Sequence, residues 1–210
     1  MYAVGAQERP GRDRYRGAAV TTAGSTPLHS SERSPGARRK RLLIAFGIAT
    51  VVFDLVLVLL DRRLVATGGP SILGLEFAGS QHRLDQIVEE WGTHGVHLAR
   101  LSLWLDFGFM LSYGTFFTLA GLATAAAARE RGLRRLAACG RVAPFLAAAA
   151  ALFDAAENIT WLVLLDGHDS SFLPALGTAC AAVKFFLIGV AMVYAACGLI
   201  VWLRFRTSKA

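Results

Sequence analysis

Four long apolar stretches, at residues 42–60, 99–128, 142–165 and 174–203, limit what this sequence can fold into. A helix needs about 20 mostly apolar residues to cross the hydrocarbon core of a bilayer, so each stretch predicts one membrane-spanning helix. The whole chain is 54% hydrophobic, which is more apolar than an ordinary soluble domain. We therefore expect an all-α protein, a four-helix transmembrane bundle.

The segments outside these stretches divide into a tail and one long connection. Residues 1–40 are rich in Arg, Gly, Ser, Thr and Pro and have no apolar periodicity, which predicts a disordered basic tail ahead of a membrane domain at 41–204. The connection at 61–98 contains Ser80, which is placed to cap a short helix. Apolar residues recur in that helix at helical spacing: Leu84, Ile87, Val88 and Trp91. We expect this external amphipathic helix to lie at the membrane surface or over the end of the bundle.

The basic residues are divided unequally between the two ends of the predicted helices. Seventeen of the 22 Lys and Arg residues lie in the N-terminal tail, in the loop at 129–141 and in the C-terminal tail. Such an excess marks the cytoplasmic side, so we expect a multi-pass inner (cell) membrane protein with both termini in the cytoplasm. The net charge of +7 does not indicate nucleic-acid binding, because the basic residues flank the spans and do not form one soluble face.

Ionisable side chains interrupt the apolar stretches, where they are costly to insert: Asp54, Asp106, Asp154, Glu157 and Lys184. A rise of about 1.5 Å per residue puts them about 9 to 17 Å from the outer ends of their helices. Asp154, Glu157 and Asn158 share one helix face, and Tyr113 shares a face with Asp106. We therefore predict a single buried polar cluster, which acts as a binding site, with seven members: Asp54, Asp106, Tyr113, Asp154, Glu157, Asn158 and Lys184.

The excess of acids over Lys184 favours a site that binds or translocates a proton, a small cation or a polar lipid group. Two alternatives stay open. The first is a structural or partner-binding membrane subunit in which the cluster only joins helices. The second is a membrane-embedded enzyme acting on a lipid, with Asp154 or Glu157 as general base; it ranks last because no nucleophile or metal motif accompanies the acids.

No cofactor and no metal site is predicted. Glu90, His94 and His97 have a helical spacing that would suit metal ligands, but Gly92 and Gly95 interrupt that helix. The expected partners are bilayer lipids and the cation or lipid ligand of the cluster. A homo-oligomer stays open, since a pore would need several copies.

Three motifs carry a resemblance to other proteins. They are Gly74-Leu75-Glu76-Phe77-Ala78-Gly79, the sequence Leu105-Asp106-Phe107 with Tyr113, and Asp154-Ala155-Ala156-Glu157-Asn158. With these motifs, residues 42–203 resemble a group of small, uncharacterised bacterial membrane proteins with four transmembrane helices. The resemblance implies the four-helix membrane fold and the pairing of these motifs, and it implies no activity.

Overall fold

The computed structural model describes residues 35–207, and every regular element within that range is a helix. The helices are α1 (Pro35–Val65), α2 (Ile72–Glu76), α3 (Gln81–Glu130), α4 (Arg134–Cys139), α5 (Ala143–Leu165) and α6 (Leu173–Thr207). Helices α1, α3, α5 and α6 are long and apolar enough to cross a membrane. The prediction of an all-α, four-helix membrane fold is confirmed.

The helices extend beyond the apolar stretches that predicted them. Helix α1 begins at Pro35 and α6 ends at Thr207, because the flanking Arg, Lys and Ala residues are good helix formers and continue the helix past the apolar core. Residues 35–40, which we predicted as part of a disordered tail, are therefore the first turns of α1. The rest of that predicted tail lies outside the described residues.

The four long helices do not pack equally. Helices α3, α5 and α6 pack against one another, whereas α1 packs chiefly against α3. The contact face of α1 is a stripe of partly buried residues at helical spacing, which includes Phe46, Thr50, Phe53 and Leu57. The ring of Phe53 lies against Gly108 of α3, where an added Cβ atom would stand 2.5 Å from the ring. This arrangement leaves the remaining circumference of α1 exposed.

Helix α3 consists of two helices joined at Gly92, whose φ of 57° and ψ of −174° are not helical. The first part is the predicted amphipathic helix. Ser80 caps it, since its side chain accepts a hydrogen bond from the Arg83 N–H at 3.3 Å. Leu84 and Trp91 on its apolar face are buried. The helix therefore covers the end of the bundle and continues into the second span.

The segment between α1 and α3 folds against the bundle. Asp61 at the end of α1 accepts a hydrogen bond from the Ile72 N–H at 2.7 Å and so fixes the start of α2. Trp91 donates its ring N–H to the Pro70 carbonyl oxygen at 2.8 Å. At the other end of α2, the hydroxyl of Thr178 on α6 donates to the Glu76 carbonyl oxygen at 2.9 Å. The contact to Thr178 joins α2 to α6, and the other two tie the connection to α1 and α3.

Candidate functional site

Lys184 of α6 is buried between the helices and lies at the centre of a group of acids. Its Nζ atom lies 2.7 Å from Glu157 Oε2 and 2.8 Å from Asp154 Oδ1, and both acids are on α5. A third carboxylate oxygen, Oε1 of Glu76 on α2, lies 3.3 Å from the same nitrogen. The four side chains are between 0% and 11% exposed. These four residues are referred to below as the Lys184 cluster.

Helix α3 contributes a second layer of polar side chains. The hydroxyl of Tyr113 donates to Asp154 Oδ2 at 2.8 Å. Beside it, the amide nitrogen of Asn158 on α5 donates to Asp106 Oδ2 at 2.7 Å and to the Leu103 carbonyl oxygen at 3.4 Å. Six of the seven residues of the predicted polar cluster therefore lie together between α3, α5 and α6: Asp106, Tyr113, Asp154, Glu157, Asn158 and Lys184.

The local sequence explains how these side chains meet. Asp154, Glu157 and Asn158 are one helical turn apart, so all three project from one face of α5, as the spacing predicted. Small residues bring α3 close to that face. At Gly114, for example, an added Cβ atom would stand 3.2 Å from the Cβ atom of Ala151. The close approach lets short side chains form hydrogen bonds across the interface.

Asp54 is the predicted member that the structure places elsewhere. It lies on the exposed side of α1. The prediction that all four spans contribute to the cluster is wrong for α1, because α1 packs chiefly against α3 and does not enter the space between α3, α5 and α6. The position of a residue along a helix does not determine which way its side chain faces.

Glu76 belongs to the cluster, although the predicted cluster did not include it. Its side chain reaches Lys184 and is only 11% exposed. A signal was present, because Glu76 is the one acid within the apolar run Ile72–Ala78. An apolar run inside a polar connection predicts that the segment is buried. Burial raises the pKa of Glu76 above its ordinary value, and the Lys184 ammonium lowers it in part.

The charges of the Lys184 cluster do not balance. If its three carboxylates were all ionised, one ammonium would leave two negative charges in a buried site. Two buried carboxylate oxygens, Glu157 Oε1 and Glu76 Oε2, have neither a hydrogen-bond partner nor an ion pair within the described residues. A buried acceptor without a donor is unfavourable, and a proton on the carboxylate would both remove the charge and supply a donor.

The arrangement does not suit a metal ion. The ammonium of Lys184 occupies the position, within 3.3 Å of all three carboxylates, that a bound cation would take. Across residues 35–207 the structure contains no group of three His, Cys, Asp or Glu side chains that could hold a metal ion. Glu90, His94 and His97 are exposed, and the break at Gly92 separates Glu90 from the two histidines.

Polar contacts run through the site as a chain. They lead from Glu76, at the end of α2, through Lys184 and Asp154 to Tyr113. A separate cavity of about 400 Å³ between α3 and α5 is lined mainly by apolar side chains and by Thr115 and Thr118. Both threonine hydroxyls donate to backbone carbonyl oxygens. The polar chain thus begins at the connection and ends within the bundle.

Comparisons with known proteins do not identify a relative. No family model matches the sequence, and neither the curated proteins nor the solved structures give a match. The four apolar helices make this a multi-pass membrane protein.

Proposed function

We propose that the protein is an integral membrane protein that binds and exchanges protons at the Lys184 cluster. The observation that carries this proposal is the charge count: three carboxylates surround one ammonium in a buried site. The low-dielectric interior penalises unpaired charge, so protons are the simplest means of removing the excess. A proton site is favoured over a site for a metal cation because Lys184 already holds the central cationic position.

The polar chain supports exchange from one side of the membrane. Glu76 is the end of the polar chain that lies in the connection, outside the spans, whereas Tyr113 lies in the middle of α3. Within residues 35–207 the hydrogen-bonded chain ends at Tyr113, whose hydroxyl donates to Asp154. We therefore propose a site that is loaded and unloaded at the Glu76 end and not a continuous proton-conducting pore.

The membrane and orientation are part of the same proposal. The distribution of Lys and Arg supports an inner membrane location with both termini in the cytoplasm. In that orientation α2 and Glu76 lie on the outer side, and the acids of α5 face the outer half of the bilayer. The resemblance to small bacterial four-helix proteins is compatible with this arrangement.

A second candidate function is structural. The cluster connects α2, α3, α5 and α6 through ion pairs and hydrogen bonds, and such contacts also join membrane helices that have no other role. A lipid-modifying enzyme is not favoured. The side chains of Asp154 and Glu157 are only 3% and 0% exposed, so neither is open to a lipid substrate.

Difference titration of the purified protein separates proton binding from a purely structural role. We expect wild-type protein to bind more protons near neutral pH than the E157Q variant, whose amide keeps the shape of Glu157 but cannot titrate. The matched control is E89Q, which makes the same change at an exposed position of α3. Equal proton binding by E157Q and wild type, with folding intact, would show that the cluster is structural and that the proposal is wrong.

A further inference from the structure

An apolar cavity of about 630 Å³ lies between α4 and the C-terminal half of α6. Leu133 and Leu136 form one wall, and Ile200 and Val201 of α6 form the other. This cavity is at the membrane face opposite the connection, because α3 ends just before it at Glu130. It is therefore well placed to receive an apolar chain from the bilayer.

A second, basic cavity of about 380 Å³ lies beside the first. It is lined by Arg129 at the end of α3, Arg134 on α4 and Arg141 before α5, together with Ala137 and Ala138. Arg134 lines both cavities. The three arginines are exposed, and none of them forms an ion pair with a carboxylate of the described residues.

The walls between these cavities are held in place by the fold. The hydroxyl of Tyr194 on α6 donates to the Leu136 carbonyl oxygen at 3.1 Å and so ties α4 to α6. At the end of α4, Gly140 fits closely against α3 and α6, where an added Cβ atom would stand 2.3 Å from Ala125 and 2.5 Å from the Tyr194 oxygen. The position of Leu136 and its neighbours relative to α6 is therefore fixed without a ligand.

We propose that these two adjoining cavities form a binding site for an anionic phospholipid of the bilayer leaflet at that face. The guanidinium groups of Arg129, Arg134 and Arg141 would bind the phosphate oxygens, for which arginine offers paired N–H donors. The acyl chain would lie against Leu133 and Ile200. An amphiphile fits because the basic and the apolar cavity share Arg134, whereas a free anion would leave the apolar cavity unexplained.

Native mass spectrometry of the delipidated protein in detergent tests this site. Phosphatidylglycerol and phosphatidylcholine with the same acyl chains are titrated separately, and the charge-neutral variant is R129Q/R134Q/R141Q. One basic residue near a membrane surface is worth about fivefold in lipid affinity, so we expect the triple variant to lose at least about tenfold in affinity for phosphatidylglycerol. The matched control R38Q/K40Q/R41Q removes three exposed charges from the start of α1 and should retain the wild-type affinity.

Two further measurements address the acyl chain and the source of the phosphate. The I200W variant places a large ring in the apolar cavity at an exposed position of α6, so it should fold and bind phosphatidylglycerol more weakly. The binding measured for I200W tests the site even where the triple variant does not fold. Excess inorganic phosphate should not displace the lipid. Equal loss in both triple variants, equal binding of phosphatidylcholine, unchanged binding by I200W, or displacement by phosphate would each overturn the proposal.

Discussion

Replacing Lys184 by Met removes the positive charge of the cluster and leaves its three carboxylates. Removing one partner of a buried ion pair typically costs about 3–5 kcal/mol, because the remaining charge is buried without compensation. We expect the native K184M variant to restore neutrality by binding one more proton on its three carboxylates than wild type does. Its stability relative to wild type should then rise as the pH falls, by up to about 1.4 kcal/mol per pH unit.

Unfolding in mixed detergent micelles, followed by circular dichroism at a series of pH values, measures this effect. The control is K40M, which makes the same substitution at an exposed position of α1 and should unfold like wild type at every pH. If K184M is as stable as wild type near neutral pH, or if its loss of stability is the same at all pH values, the carboxylates do not bind the excess protons as proposed.

Three further predictions concern single positions. Burial raises the pKa of Glu76 above its ordinary 4.5, so the native state binds the Glu76 proton more tightly than the unfolded state does. The stability that this proton contributes is present below pH 4.5 and is lost as the pH rises. E76Q should remove that part of the pH dependence of unfolding. Y113F deletes the donor to Asp154 and should cost about 1–3 kcal/mol in the same unfolding assay, with helix content unchanged. G198A places a Cβ atom 1.9 Å from the hydroxyl oxygen of Thr124 and should destabilise the protein by about 1–3 kcal/mol, whereas G189A on the same helix meets no atom within 4 Å and should not.

The sequence predicted the features that depend on position along a single helix. Apolar length predicted the spans, and helical spacing placed Asp154 and Glu157 on one face of α5. Ser80 was recognised as a cap because its hydroxyl precedes an amphipathic pattern. These signals are local, since each is determined by residues within a few turns of one another.

The features that the sequence did not predict depend on contacts between helices. The exposure of Asp54 follows from the packing of α1 chiefly against α3, and no pattern within α1 distinguishes that packing from a place in a closed four-helix ring. Glu76 reaches Lys184 because Asp61 and Thr178 hold α2 at its two ends. Residues distant in sequence create both contacts, so periodicity within the connection could indicate burial but not the partner.

Infrared spectroscopy of the protein in lipid bilayers at neutral pH detects the proposed protons directly, because a protonated carboxylic acid has a C=O band that a carboxylate lacks. We expect such a band in wild-type protein, a weaker band in E157Q, and an unchanged band in E89Q, where the substituted glutamate is exposed. A spectrum that E157Q leaves unchanged at neutral pH would mean that Glu157 carries no proton there, contradicting its assigned role in a proton-binding cluster.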